Sequence, residues 1–349
     1  MKAEEIKDIG ILLGDIGATI SRLSLKVYNS SSHLFTTLKE STYQSIHYRS
    51  LEDLLMNFLQ EFIGKPLYPF IACLAIAGPL INGKVSITNI SAWPYFDYEA
   101  TSKNLNIPSF KILNNFEANG YGILSLDPSK IPKINFVEPI EGAPKAFIGS
   151  GTGLGEGLAT KGMKSDGYTV IPGEGGHADF SARNEIEYEL LKYVKKKFNL
   201  ERVSVERCCS GPAIGIIYEF FLEYYKDKKI SKLFEEKKGE LSKISNEMIF
   251  DFALSSKDQI CIETLKLFTA IYGSEAGNLC LKTLPYGGLY LMSGITTAIK
   301  DYLKKDPTFM ENFLNKGRMG ELLKKIPIYL IEDTIGITGV EYYVLKHLV

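Results

Sequence analysis

The sequence predicts an α/β chain of two domains built from two related halves, and three observations carry that prediction. Its 349 residues are about twice the length of an ordinary domain, at roughly 150 residues each. An apolar run, a Gly-rich turn and a second strand occur at IGILLGDIGATISRLSLKVY and return 135 residues later, Gly14 to Gly149, at PKAFIGSGTGLGEGLAT. Buried-strand patterns alternate with helix-period stretches between and after them.

The elements follow in order. Ile9 to Tyr28 reads as strand, tight turn and strand, with alternation from Ser21 to Tyr28. Leu51, Leu54, Leu55, Phe58, Leu59 and Phe62 lie at the spacing of one helix face. FIACLAIAGPL is a buried strand leading through a polar hairpin at Asn82 and Gly83 into VSITNI; a helix follows at Tyr98 to Asn104, and FKIL ends at Asn114 and Asn115. After the second Gly-rich turn come a Gly-rich loop, IPGEGGHADF, a helix from Glu185 to Lys197, and a loop-to-helix transition at ERCCSGPAI. The Lys/Glu-rich stretch from Tyr225 to Lys243 reads as solvated faces and a connection. A long helix from Asp258 to Leu281, the strand of PYGGLYLMSGI, the strand IPIYLIED and a closing helix in EYYVLKHLV complete the chain. The repeat places the first domain at 1–125, completed by the C-terminal helix at about 335–349, and the second at 126–334.

Composition excludes several classes. The chain is 45% hydrophobic and carries 40 basic against 41 acidic side chains, so neither disorder nor a nucleic-acid partner is indicated. The longest apolar stretch, Pro69 to Ile81, is interrupted by Gly78 and Pro79 and falls short of the roughly 18 to 20 residues of a membrane span. The N-terminus, MKAEEIKD, is charged and the five cysteines form no CxxC pair. The expectation is a cytoplasmic protein with free thiols and no membrane segment.

Gly-rich turns after buried strands aim several backbone N–H groups at one point and suit phosphate oxygens. One such turn alone reads as a tight hairpin; two in matching positions favour a triphosphate site. Asp15 beside phosphate requires a Mg²⁺ ion between them, directly or through water, and Thr19 adds a hydroxyl. Other nucleotide motifs fit worse. Leu154 stands where the third Gly of a dinucleotide fingerprint would fall, and GPLINGK at Gly78 to Lys84 is followed by Val85 rather than Ser or Thr. In PGEGGHADF, Glu174 and His177 offer an acceptor and an imidazole on a Gly-rich loop, a set suited to sugar hydroxyls, and Glu206 is a second acceptor. Each of these residues alone is equally consistent with an ordinary surface loop. A zinc site lacks a second His or a spaced Cys pair, and Cys208 and Cys209 read as small buried hydrophobes.

Together, GDIGAT, AIAGP followed by TNISAW, ILNNFEANGYG, GSGTGLG, PGEGGHADF and ERCCSGP, in that order, resemble the bacterial-type glucokinase family, over nearly the whole length to KGRMGELLKKIPIYLI and the GITG turn. The resemblance implies a duplicated ribonuclease H-like fold of the actin/hexokinase type, with two α/β domains closing on a sugar and MgATP. It implies ATP-dependent phosphorylation of glucose at the 6-hydroxyl, and homodimers are frequent in that family. Carried over, Gly14, Asp15, Ile16, Gly17, Ala18, Thr19, Gly149, Gly151, Thr152 and Gly153 hold the nucleotide, and Asn114, Asn115, Glu174, His177 and Glu206 the sugar.

Relatives usually carry Asp at the position of Asn115, where it serves as general base for the sugar hydroxyl. An amide cannot take that proton. The expectation is therefore a glucokinase slowed at this step, with a catalytically silent glucose-binding protein as the alternative. Glu117, past the strand end, is expected to point elsewhere. Ala18 for a second Gly, and Ser293-Gly294 for a Gly-Gly, are smaller departures of the kind the site tolerates.

Overall fold

The computed structural model describes residues 8–349 except 18, 77, 79, 82–83, 86–92, 94–95, 163–166, 227–230 and 332–334. Contacts divide the chain into two compact units, Met1–Leu126 with Thr334–Val349, and Asp127–Asp333.

In the first unit, β1 (Asp8–Ile16), β2 (Ile20–Asn29) and β3 (Leu34–Gln44) form an antiparallel meander, and β4 (Ile71–Ile76) runs parallel to β1. Between them lies α1 (Leu51–Leu59), capped by Ser50, whose hydroxyl accepts from Asp53 N at 3.1 Å. Its apolar face, Leu51, Leu54, Leu55, Phe58 and Leu59, is buried, as the spacing predicted. The next strands are short: β5 (Leu80–Ile81), β6 (Lys84–Val85) and β7 (Phe96–Asp97), with β5 and β6 paired antiparallel. The hairpin residues Asn82 and Gly83, and residues 86–90, lie outside the described residues. Then follow α2 (Tyr98–Asn104), β8 (Ser109–Asn114) and α3 (Asn115–Ser125). The sheet order is β3-β2-β1-β4-β8. Every residue of β4 is buried, because a parallel strand in the middle of a sheet is covered on both faces.

The second unit repeats this plan. A meander of β9 (Lys145–Ser150), β10 (Leu154–Lys161) and β11 (Tyr168–Gly173) precedes α4 (Glu185–Phe198), α5 (Gly211–Tyr224), α6 (Lys232–Glu236), α7 (Asn246–Leu254) and α8 (Gln259–Thr283). Then come β12 (Leu289–Met292), α9 (Gly294–Ala298), α10 (Lys300–Lys305), α11 (Thr308–Leu314), α12 (Gly320–Leu323) and β13 (Ile328–Ile331). Its order, β11-β10-β9-β12-β13, is that of the first sheet strand for strand, so the repeated pattern in the sequence is a repeat of topology. The helix α8 begins at Asp258, which caps Cys261 N at 3.0 Å, and is buried along most of its length as the core element of the unit.

The last helix, α13 (Gly336–His347), belongs to the first unit and starts five residues before the closing segment the periodicity marked. It packs on α3 through glycines: a Cβ on Gly339 would stand 1.7 Å from Ala118 O, and one on Gly122 2.6 Å from Ile335 O. The sequence expectations omit β3 and α3, and also β11, α7 and α9 to α12. β3 is an edge strand whose residues are mostly exposed, and α3 begins where the strand was read as ending.

Candidate active site

In the first unit the parallel strands bring their C-terminal ends to one edge. Ile16 pairs with Ile76, and Ile76 with Asn114, so the turn after β1 and the Asn114–Asn115 pair stand two strand spacings apart, about 10 Å. Gly17 N donates to Ile20 O at 3.1 Å and closes the turn; Ser45 braces it, its Oγ donating to Gly17 O and its N to Thr19 O. Thr19 is exposed at the tip, and Ala18 lies outside the described residues. Gly14 and Ile16 are buried in β1 beneath the turn. Gly14 is a packing glycine, since a Cβ there would stand 2.6 Å from Leu74 and 2.9 Å from Leu23 side-chain carbons.

Asp15 is the charged group of this turn. Its carboxyl lies 3.7 Å from Arg22 Nη1 and against the first residue of α13, where a Cβ on Gly336 would come within 2.8 Å of it. Burial pushes this acid above the usual carboxylate range and Arg22 offsets part of that. Gly336, whose role the sequence reading missed inside the GITG turn, is what lets the helix end approach so closely.

Asn114 and Asn115 sit at the junction of β8 and α3, both half-buried. Asn114 is the N-cap, its Oδ1 accepting from Phe116 N at 2.8 Å. Glu117, three residues on, accepts from the Asn114 backbone N–H and so completes a capping box. Burial raises its pKa, with that hydrogen bond and Lys111 pulling the other way. Its carboxylate is thus engaged at the helix start, and Asn115 occupies the first helical position.

The second unit gathers the other candidates. The β9–β10 turn is stapled to the start of α5: Gly211 N donates to Gly151 O at 2.7 Å, and Gly151 N to Gly153 O at 2.8 Å. The positive end of a 14-residue helix thereby stands at the turn, an arrangement that favours anions. Nothing among the described residues lies within 4 Å of a Cβ built on Gly151, so their packing does not account for that glycine, whereas a ligand against the backbone would. Thr152 is exposed beside it. Gly149 lies in β9, register partner of Gly155.

Glu206 is on a single 3₁₀ turn, Val205–Arg207, and its Oε2 accepts from Leu154 N at 2.9 Å. A Cβ on Gly153 would fall 2.4 Å from that oxygen, so a predicted sugar residue and a predicted phosphate residue touch. Glu174 precedes and His177 ends another 3₁₀ turn, Gly175–His177, at the end of β11, with His177 Nε2 3.7 Å from Glu174 Oε2 and both side chains exposed. The segment is tied to the residues before Glu206 by Val205 N to Ala178 O at 2.9 Å and Arg202 Nη1 to His177 O at 3.0 Å. Glu174, His177, Glu206 and Gly151 to Gly153 therefore share one edge of the second sheet. Cys208 and Cys209 are fully buried, as expected of small hydrophobes.

A duplicated sheet with a Gly-rich turn at the same strand junction in each half, one of them beside carboxylates and an imidazole, defines a sugar kinase of the actin/hexokinase type. The glucokinase family profile matches residues 12–347. The glucokinase of Trichormus variabilis is 38% identical over 338 residues, covering 94% of this chain and 97% of the relative. The crystal structure of a glucokinase from an Antarctic psychrotroph superposes with a TM-score of 0.78 at 26% identity, over 98% of this chain and 100% of that one. A glucokinase of Balamuthia mandrillaris in complex with glucose shares the fold, with a TM-score of 0.79 at 18% identity over 99% and 95% of the two chains. The chain belongs to the glucokinase family. No described helix is long and apolar enough to cross a membrane.

Proposed function

We propose that the chain transfers the γ-phosphoryl group of ATP to the 6-hydroxyl of glucose, giving glucose 6-phosphate and ADP. The sugar residues are Asn114, Asn115, Glu174, His177 and Glu206, and the phosphates lie against the turns at Asp15–Thr19 and Gly149–Gly153. The observation that supports the assignment is the contact of the Glu206 carboxylate with Gly153 and Leu154, in the Gly-rich turn at the start of α5. Carboxylates and an imidazole on separate loops read several hydroxyls at once.

Asp15 fits a divalent cation. It is a single carboxyl that burial pushes toward its neutral form, and a cation with phosphate ligands would restore its charge; Mg²⁺ needs only one or two carboxylates when phosphates and water supply the rest. The metal would neutralise phosphate charge. The protein's own part is to hold the sugar, exclude water and align its hydroxyl, which matters most in a loose phosphoryl-transfer transition state.

Asn115 can orient the 6-hydroxyl by hydrogen bonding but cannot accept its proton, and Glu117 is held in the capping box. Turnover is therefore slow relative to a chain with Asp here, since a general base contributes about 10²- to 10⁴-fold. All five cysteines are free and buried, which supports work in a reducing cytoplasm.

A coupled assay for sugar 6-phosphate with ATP and a panel of hexoses tests the reading. Product from glucose is expected. Glucose binding without product from any hexose would leave a silent glucose-binding protein, the reading that Asn115 alone favours.

A further inference from the structure

The loop that carries Glu174 and His177 rests on a buried pair of acids. Glu156, in β10, is 3% exposed and Glu275, in α8, is 6% exposed. Glu275 is the acid beside Glu156, near enough for the two carboxyl groups to share a proton, and Glu156 Oε1 has no hydrogen-bond partner among the described residues. Glu275 also accepts from Asn278 Nδ2 at 2.9 Å. The other side of Glu156 meets the loop. A Cβ on Gly175 would stand 1.9 Å from its Oε2, and Gly173 is its register partner in β11. Gly176 is seated equally tightly on Leu154 O, at 2.1 Å.

The environment favours the neutral acid. Burial pushes Glu156 up to about 7, Glu275 pushes the same way, and Lys282 pulls it down. Among the described residues, Cys209, Cys280 and Tyr272 also feel the charge of Glu156, and burial holds each of them neutral. Losing the proton would set a charged Glu156, its Oε2 directly under Gly175, against the neighbouring acid Glu275.

We propose that Glu156, as a neutral acid shared with Glu275, is a positioning residue that holds the Gly173–His177 segment in its glucose-binding geometry, and that loss of the proton releases it. The inference rests on the reading that Glu174 and His177 bind glucose.

Calorimetric glucose affinity of the full chain from about pH 6 to about pH 8.5, which does not depend on turnover, tests it. Wild-type Kd is expected to rise at least about fivefold across that range. Glu156→Gln, a neutral isostere, should flatten the profile to within about twofold, where a merely structural role would shift affinity equally at every pH. Glu275→Gln should move the rise to higher pH if its amide carbonyl keeps Glu156 protonated, or to lower pH if its N–H₂ serves the Glu156 carboxylate; a midpoint that stays in place overturns the pairing, even if Glu156→Gln fails to fold. Wild-type and Glu156→Gln profiles with the same slope also overturn the proposal. Glu174→Ala separates the two readings. Unchanged affinity in that variant removes the sugar loop and this inference together, whereas weakened binding with an unaltered Glu156→Gln slope removes the positioning role alone.

Discussion

The turn after β1 and the turn after β9 close the same strand junction in two sheets of identical order, yet they are chemically unlike. The first carries a buried carboxyl, Asp15, held by Arg22 and by the close approach of α13 at Gly336. The second carries no acid of its own. It leaves open space at Gly151, stands at the start of α5, and borrows Glu206 from a neighbouring loop. A repeated backbone supplies two places where strand ends and amides converge, and side chains arriving from elsewhere in each unit decide what each place does. In the proposed function the first would take a cation that accompanies phosphate, and the second phosphate itself with the proposed sugar acceptors beside it.

That difference is open to direct attack. The largest effect is expected from Asp15→Asn, which keeps the shape of the first turn and removes its charge: kcat should fall by about 10²- to 10³-fold while calorimetric glucose affinity changes little. Steady-state kinetics with MgATP checks this, and an unchanged kcat would make the two turns equivalent after all. Asn115→Asp should act in the opposite sense, raising kcat by at least about tenfold, because it restores an interaction made only in the transition state. If the natural chain already turns over at an ordinary rate, about 10 s⁻¹, and gains nothing from Asp, another group serves as the base.

Stability measurements sharpen the contrast between the sheets. Glu156 has a folded-state pKa near 7 against an unfolded value of 4.5, so its neutral form is favoured by folding. This stabilisation is fully present below the unfolded value and is lost as pH rises through about 7, so Glu156→Gln should gain on the wild type by roughly 1 to 3 kcal/mol between about pH 5 and pH 8. Denaturant melts at the two pH values would show it. Smallest in activity are the glycines. Gly14→Ala should cost about 1 to 3 kcal/mol of stability through overpacking on Leu74 and Leu23. Gly151→Ala should stay within about 0.5 kcal/mol of wild type and weaken ATP binding instead. Similar melting losses for both would remove the distinction between a packing glycine and a ligand glycine.

Much of this was legible before any coordinates. Both Gly-rich turns follow strands that are apolar on both faces, a pattern that survives without knowledge of the partner strand. The sugar candidates stood out because Glu174 and His177 interrupt a run of glycines. β3 was illegible for the opposite reason: as an exposed edge strand it alternates little in polarity, and its pairing with β2 supplies what its composition does not. α3 was hidden by Gly120 and Gly122, poor helix formers, of which Gly122 serves the close approach to Ile335 and Gly339 of the closing helix. The signal that would have found it is the spacing of Asn114 and Glu117, a capping box in a stretch read as a strand end. The Glu156–Glu275 pair was beyond sequence reasoning, because nothing local links a strand residue to one 119 positions later on α8.

The membership of α13 in the first unit has a consequence for synthesis. A ribosome adds about 5 to 20 residues per second, and domains ordinarily fold as they emerge. Here the strands of the first sheet are all made by Asn114, but the helix that packs on α3 and brings Gly336 to Asp15 is translated after every element of the second unit. The second unit is complete while the first still lacks its cover. A nascent chain that has not yet reached α13 therefore carries, at the turn after β1, an acid with no helix end to rest against, and the first unit is completed only after the second has been made.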